Sequence, residues 1–477
     1  MRGRAYRTWM AALVVAVTSL ALFPSGVSWA GAPSSGDIPD GRWSTASLSS
    51  PHEDISVATI GTKVLLAGGC EAVCPHLWDS RSSSAVDLYD AATGRFSAAA
   101  LSQARTRLAT ATVGGKVLFA GGLLSFEGPA STAVDVYDDL TETWSTATLS
   151  EPRTDMAVAV VGSKVLFAGG RNVTHGNTQP RATVDIYDAA TGQWSKASLK
   201  KAGQNPAVAI VGSQVLFAVE DAVDIYDAAT GRWTATRLST MRSLYAVATV
   251  GTTVLFAGGG TCPLIGDVCQ PLPSATVEIY DTATGQWSTA SMSERRYEPA
   301  VATIGTQVIF AGSQNQVSPS AAVDIYDAAT GRWSTARLSE ARFRLAVATI
   351  GTQVLFAGGQ RRGRATSDAV DLYDAGTGQW SSARLTGSDL RTATATVGSE
   401  VLIANGATVD IYDAATARWS SASLSQDRTR YAMVAIGTRV LFAGGDNCTH
   451  RLPESGFCDE SDTLATVDVY DSAVGES

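Results

Sequence analysis

One unit recurs nine times along this chain, and two of its internal distances never change. Each copy holds a Val-Asp-Leu-Tyr-Asp segment or its like, with the tyrosines at Tyr89, Tyr137, Tyr187, Tyr226, Tyr280, Tyr326, Tyr373, Tyr412 and Tyr470. Seven residues beyond each of the first eight tyrosines stands an aromatic: Phe96, Trp144, Trp194, Trp233, Trp287, Trp333, Trp380 or Trp419. Trp43 is an extra copy ahead of them all, and 25 residues separate each of these nine aromatics from a slot most often filled by the first glycine of a Gly-Gly pair, as at Gly121. Only the stretch from that slot to the next tyrosine varies, from 7 residues to 26. A fixed period of roughly 40 to 50 residues, with insertions confined to one place, is the mark of a repeat array.

The local composition predicts four short antiparallel strands per unit. Runs such as Ala346 to Ile350 and Val354 to Ala357 are apolar, rich in β-branched residues and separated by Gly351-Thr352, a turn signal. The Tyr and Trp segments flank Asp-Ala-Ala-Thr-Gly, where Asp caps a turn and Gly takes the left-handed position. Lys164 to Ala168 is apolar on both strand faces, so both faces of the sheet must be covered, and stacking sheets radially around an axis does that. The Ala-rich strands, such as Ala157-Val158-Ala159, suit the crowded axis, and the bulky Trp and Tyr suit the wider periphery. The repeated aromatics are therefore expected as blade core. Unit eight has Asn405-Gly406 in place of Gly-Gly and unit four has Val219-Glu220-Asp221, so both are expected to join their second and third strands directly. The ninth unit ends seven residues after Tyr470 without an aromatic strand of its own, and Trp43 has no Tyr strand before it. Pairing the two would close the ring and remove two open sheet edges.

These residues resemble the kelch repeat: an Arg near the start of the first strand, Gly-Gly ending the second, Tyr ending the third and Trp seven residues on in the fourth. The resemblance covers about residues 41 to 471, and it implies a propeller that closes by sharing a blade and usually serves as a binding module. The fold expected is all-β: a single kelch-type propeller of nine four-stranded blades over 41–477, its ring closed by the N-terminal strand. Departures are Gly312-Ser313 in unit six, the missing Gly-Gly of units four and eight, and His52, Gly203 and Asp389 where the Arg belongs in units one, four and eight.

Residues 1–30 read as a signal peptide: Arg2, Arg4 and Arg7, an apolar run from Trp9 to Phe23, and the small-residue site Ser28-Trp29-Ala30. Residues 31–40 read as a linker, and a secreted, extracellular or cell-surface product is expected. No later segment is long enough to span a membrane as a helix. Without residues 1–30 the formal charge falls from -9 to -12, which argues against nucleic acid as a partner. The six cysteines lie in three variable loops, Cys70 with Cys74, Cys262 with Cys269 and Cys448 with Cys458, and three local disulfides are expected. No zinc spacing accompanies them, so neither metal nor cofactor is expected.

Six units place Arg at one point: Arg105, Arg153, Arg242, Arg296, Arg342 and Arg428. The third strands carry nine acids: Asp87, Asp135, Asp185, Asp224, Glu278, Asp324, Asp371, Asp410 and Asp468. Arg-carboxylate pairing is the expected reason, but it is incomplete, because the acid persists in the three units without Arg. Two residues beyond the Arg position the identity varies: Asp54, Arg107, Asp155, Asn205, Leu244, Glu298, Arg344, Arg391 and Arg430. These are expected to ring the channel mouth on the face that bears the variable loops, where diversity on a regular scaffold usually carries binding.

The chain has four histidines, none in a Gly-x-Ser-x-Gly or His-Glu-x-x-His setting. The leading expectation is a monomeric, non-catalytic module binding a protein or glycan ligand through its loop face. A carbohydrate-active enzyme with carboxylates at the mouth and a passive surface or matrix component are the alternatives.

Overall fold

The computed structural model describes residues 42–71, 81–125, 128–174, 177–261, 264–265, 268–269, 272–313, 319–389, 392–451 and 458–474. The expected signal peptide and linker lie outside these. Nine antiparallel blades of four strands follow one another around an axis, and in the fifth two short loop strands, Arg242–Ser243 and Gly260–Thr261, extend the sheet to six. Blade 3 shows the unit: Ala157–Val161 innermost, then Lys164–Ala168, Thr183–Asp188 and Gln193–Ser198 at the periphery. Blades 1, 2 and 4 occupy 56–100, 109–148 and 207–237, and blades 5 to 8 occupy 246–296, 300–342, 346–384 and 392–423.

Blade 9 joins the two ends of the chain. Ala432–Ile436, Arg439–Ala443 and Thr466–Asp471 come from the C-terminal end, and Trp43–Ser47 is the fourth strand. Trp43 lies opposite Tyr470 in the ladder, the pairing that every other blade makes between its own tyrosine and aromatic. The innermost strand of blade 9 packs on that of blade 1, which completes the circle.

Apolar patterning fixes where the core sits. The second strand of blade 3 is buried from Val165 to Ala168, so it contributes side chains to both faces of its sheet. The result is a separate apolar cluster in each of the nine spaces between neighbouring blades. Between blades 2 and 3, Leu118, Val134 and Val136 meet Val165, Phe167 and Tyr187. Burying each such aliphatic or aromatic side chain stabilises by about 1.5–3 kcal/mol. Towards the axis the spaces narrow, and the middle residue of the innermost strand is a buried alanine in seven blades, including Ala111, Ala159 and Ala302. At the periphery Trp194 is only half-buried, stacked on Phe167 at 6.2 Å and tilted against Tyr187 at 5.1 Å.

The outer turns follow the expected chemistry. Asp188 Oδ1 accepts the amide of Ala190, and Gly192 closes the turn at φ +70° by donating to the Asp188 carbonyl. Among the described residues no helix is long and apolar enough to cross a membrane.

Candidate functional site

The two ends of each blade differ in what builds them. One end carries short, near-identical turns; the other carries the segment between blades and the loop between the second and third strands. These two share a face because they pair: Thr154 with Arg171, Phe343 with Gln360 and Thr429 with Asp446.

The repeated arginine clamps the base of the loop. The Arg153 guanidinium is fully buried, pairs with Asp185 in its own blade, and donates to the carbonyls of Gly169 and Thr183 at 2.7 and 2.8 Å. Gly169 ends the second strand and Thr183 opens the third, so one side chain ties both ends of the intervening loop. Arg105, Arg242, Arg296, Arg342 and Arg428 repeat the pattern with Asp135, Glu278, Asp324, Asp371 and Asp468. Blades 4 and 8 turn in two residues, Glu220-Asp221 and Gly406-Ala407, and have no loop base to clamp. In blade 1 the slot holds His52, fully buried, with Cys70 at the loop base.

All nine third-strand acids have a second partner, which explains why they persist without arginine. Each accepts a backbone amide from the chain leaving the preceding blade, from Ser49 to Asp87 at 2.8 Å through Ser425 to Asp468 at 3.2 Å. The carboxylates staple neighbouring blades together. In blades 1, 4 and 8 no guanidinium offsets their burial, and it pushes Asp87, Asp224 and Asp410 above the ordinary carboxylate range.

The Gly-Gly pair is there for clearance. A Cβ on Gly121 would lie 2.3 Å from the Arg153 carbonyl of the next blade, and one on Gly122 would lie 2.5 Å from the Thr106 carbonyl.

Eight of the nine candidate mouth residues share a conformation that residue identity does not reveal. Asp54, Arg107, Asp155, Asn205, Leu244, Arg344 and Arg430 have φ between +46° and +56°, and Glu298 has +29°; Arg391 lies outside the described residues. Each precedes an innermost strand by two residues, at the loop-bearing end of the axis. A left-handed backbone costs a side-chain-bearing residue roughly 1–2 kcal/mol, less for Asn and Asp, and glycine would take it freely. None of the eight is glycine, so the side chains are not there for backbone stability.

The structure separates these residues by occupation. Asp155 pairs with Arg171, and Arg430 donates to Glu53 Oε1 at 3.1 Å across the seam between blades 9 and 1. Thr154 Oγ1 donates to the Arg107 carbonyl. Glu298 is half-buried, its carboxyl pushed up by burial and partly restored by the charge of Arg344. Asn205 and Arg344 are exposed, and Leu244 is half-buried. Solvent also reaches the innermost strands below them, where Thr112, Thr303 and Thr349 are exposed and Ile210 is 40% exposed.

Cys70 is disulfide-bonded and buried at the base of the blade 1 loop, and its expected partner Cys74 lies outside the described residues. Cys262 lies outside them too. Cys269, Cys448 and Cys458 are described in backbone only, the last two on a hairpin of Asp446–Arg451 and Cys458–Thr463. Sequence reasoning passed over Glu53, fully buried beside the seam, whose only signal was a carboxylate next to the atypical His52.

The Kelch motif family model matches residues 152–198, the span of blade 3 with its arginine. The crystal structure of the computationally designed Ika8 protein is similar over 77% of this chain and 98% of its own, with 16% identity and a TM-score of 0.47. No curated protein matches the chain.

Proposed function

We propose that this chain, a member of the kelch-repeat β-propeller family, is an exported, non-catalytic interaction module that takes a protein or glycan ligand on the loop face of its ring. One observation carries the reading. Varied side chains stand at eight equivalent mouth positions where the backbone favours glycine, on the face that holds all the loop variation. The absence of a catalytic cycle is supported by the nine third-strand acids, each committed to a backbone amide and six also to arginine. Export is supported by the character of residues 1–30 and by the disulfide at Cys70, which suits an oxidising compartment.

The test presents residues 31–477 to arrays of extracellular proteins and of glycans, beside a variant carrying Asn205→Gly, Leu244→Gly and Arg344→Gly. Retention by the parent and at least tenfold weaker retention by the variant, with its thermal midpoint preserved or raised, is the expected result. Equal retention by both would remove the mouth from the reading. Turnover of a retained glycan would replace it with an enzymatic one.

A further inference from the structure

Two loops on this face are basic in sequence, and the structure treats them differently. On blade 3, Arg171 pairs with Asp155 and Arg181 with Glu151. On blade 7, Gly358 to Ser367 holds Arg361, Arg362 and Arg364 and no acid. The backbone of this loop is described from end to end, and Arg361 and Arg362 are exposed.

The loop is joined to the mouth of its own blade. Phe343 and Gln360 exchange both backbone hydrogen bonds, at 3.0 and 2.8 Å, so the chain entering blade 7 and the start of its loop run side by side. Arg344 follows Phe343 and Arg361 follows Gln360, which brings the mouth residue and the loop arginines into one sector of the rim. The loop is closed on itself: the Arg361 amide donates to the Ala365 carbonyl at 2.7 Å, and Arg361 Nη2 donates to the Thr366 carbonyl at 2.7 Å. Gly363 makes the turn at φ +78°. The Arg344 guanidinium lies 5.9 Å from the centre of the buried Phe343 ring, within cation–π reach. Neither Arg344 nor Arg362 makes a side-chain hydrogen bond or an ion pair among the described residues.

The acids nearby do not cancel this charge. Asp368 accepts from Arg384 at 2.6 Å, and Glu340 lies 3.6 Å from Arg384 and 4.0 Å from Arg361, whose side chain is still 48% exposed. Four arginines (344, 361, 362 and 384) against two acids (340 and 368) leave two positive charges on one blade of a chain whose total is -9. On the blade 6 side the sector ends at the half-buried Glu298, whose carboxyl feels the charge of Arg344.

Resting on the interaction-module reading, we infer that the partner is a protein that presents a short acidic segment, whose carboxylates pair with Arg344, Arg361 and Arg362. Guanidinium forks match carboxylates in shape as well as charge. The segment is short because the sector is short. A repeating polyanion would run on past Glu298, Glu340 and Asp368 and meet the field of an acidic chain, whereas a polypeptide carries its acids only where the arginines are.

The probe is a library of linear twelve-residue peptides displayed on phage and selected on residues 31–477, beside immobilised heparin as a sulfated glycan. Selected peptides are then measured on Arg361→Gln with Arg362→Gln, on Arg362→Gln alone, which removes no contact within the chain, and on Arg95→Gln with Arg232→Gln. The last pair removes the same charge from exposed positions that open two fourth strands, next to the outer turns. The expected result is recurrent paired Asp or Glu in the selected peptides and at least tenfold weaker binding by the Arg361 and Arg362 double variant. Arg362→Gln should cost at least threefold, the control pair less than twofold, and thermal midpoints should stay unchanged. Added salt should weaken the parent more than the double variant. Peptides without recurrent acids, or indifferent to the double variant, would overturn the acidic segment. The mouth reading would still stand if Asn205→Gly with Leu244→Gly weakened the same peptides. Heparin held through Arg361 and Arg362 with no acidic peptide selected would overturn the polypeptide in favour of a glycan, and selection of no peptide at all with heparin unbound would overturn the sector as a site.

Discussion

Arg153 and Asp185 form a fully buried pair whose guanidinium also holds the carbonyls of Gly169 and Thr183, so the ion pair of blade 3 and the base of its loop are one structure. The carboxylate in turn accepts the amide of Ser150 from the preceding blade. Blade closure, blade-to-blade contact and loop placement therefore depend on the same two side chains.

Arg153→Ala leaves the Asp185 carboxylate buried without its counter-charge, a loss of about 3–5 kcal/mol. Chemical denaturation of the variant should show it, and hydrogen exchange should quicken at residues 171–182. Asp224→Asn in blade 4, where no guanidinium is present and the amide of Lys200 is the acceptor's partner, is expected to be neutral or stabilising at pH 7. A loss for Asp224→Asn as large as that for Arg153→Ala would show that charge pairing is not what separates the two sites.

Acid sensitivity has two sources of opposite sign. Burial lowers the His52 imidazole from 6.5 to about 4, so its neutral form contributes stability that is complete above pH 6.5 and is lost as pH falls towards 4. The shift corresponds to about 3 kcal/mol. Asp87, Asp224 and Asp410 are raised above 3.8, and their contribution falls as pH rises through that value. Thermal midpoints of His52→Gln between pH 4 and 7 should be flatter than those of the parent; an unchanged slope would remove His52 as the source.

Leu244→Gly and Arg344→Gly each relieve a left-handed backbone, at φ +56° in both, and each is expected to stabilise by about 1 kcal/mol. Calorimetry decides this. Destabilisation of both would mean that the side chains serve packing, and the case for a ligand at the mouth would weaken with it.

Much of the architecture was legible because it is written in distances. The constant seven and 25 residues are strand and turn lengths, and Trp43 and Tyr470, each without a partner in its own unit, were expected to pair and do so in the closing ladder. The Arg-acid pairing was also readable, from recurrence and complementary charge. Two things were not. The second role of Asp87, Asp224 and Asp410 depends on a backbone amide from the neighbouring blade, and backbone groups leave no trace in residue identity. The left-handed mouth was hidden for the opposite reason, since Leu244 and Arg344 are residues that local preference keeps out of that conformation; the surrounding fold imposes it.

The ring is the premise of the mouth, and its seam is open to direct measurement. Ser47 lies opposite Thr466 in the closing ladder. Ser47→Cys with Thr466→Cys, mapped by peptide analysis without reductant, should give one bond within a single chain joining positions 47 and 466. Folded protein with both new thiols free, or joined only between chains, would contradict the closed nine-blade ring.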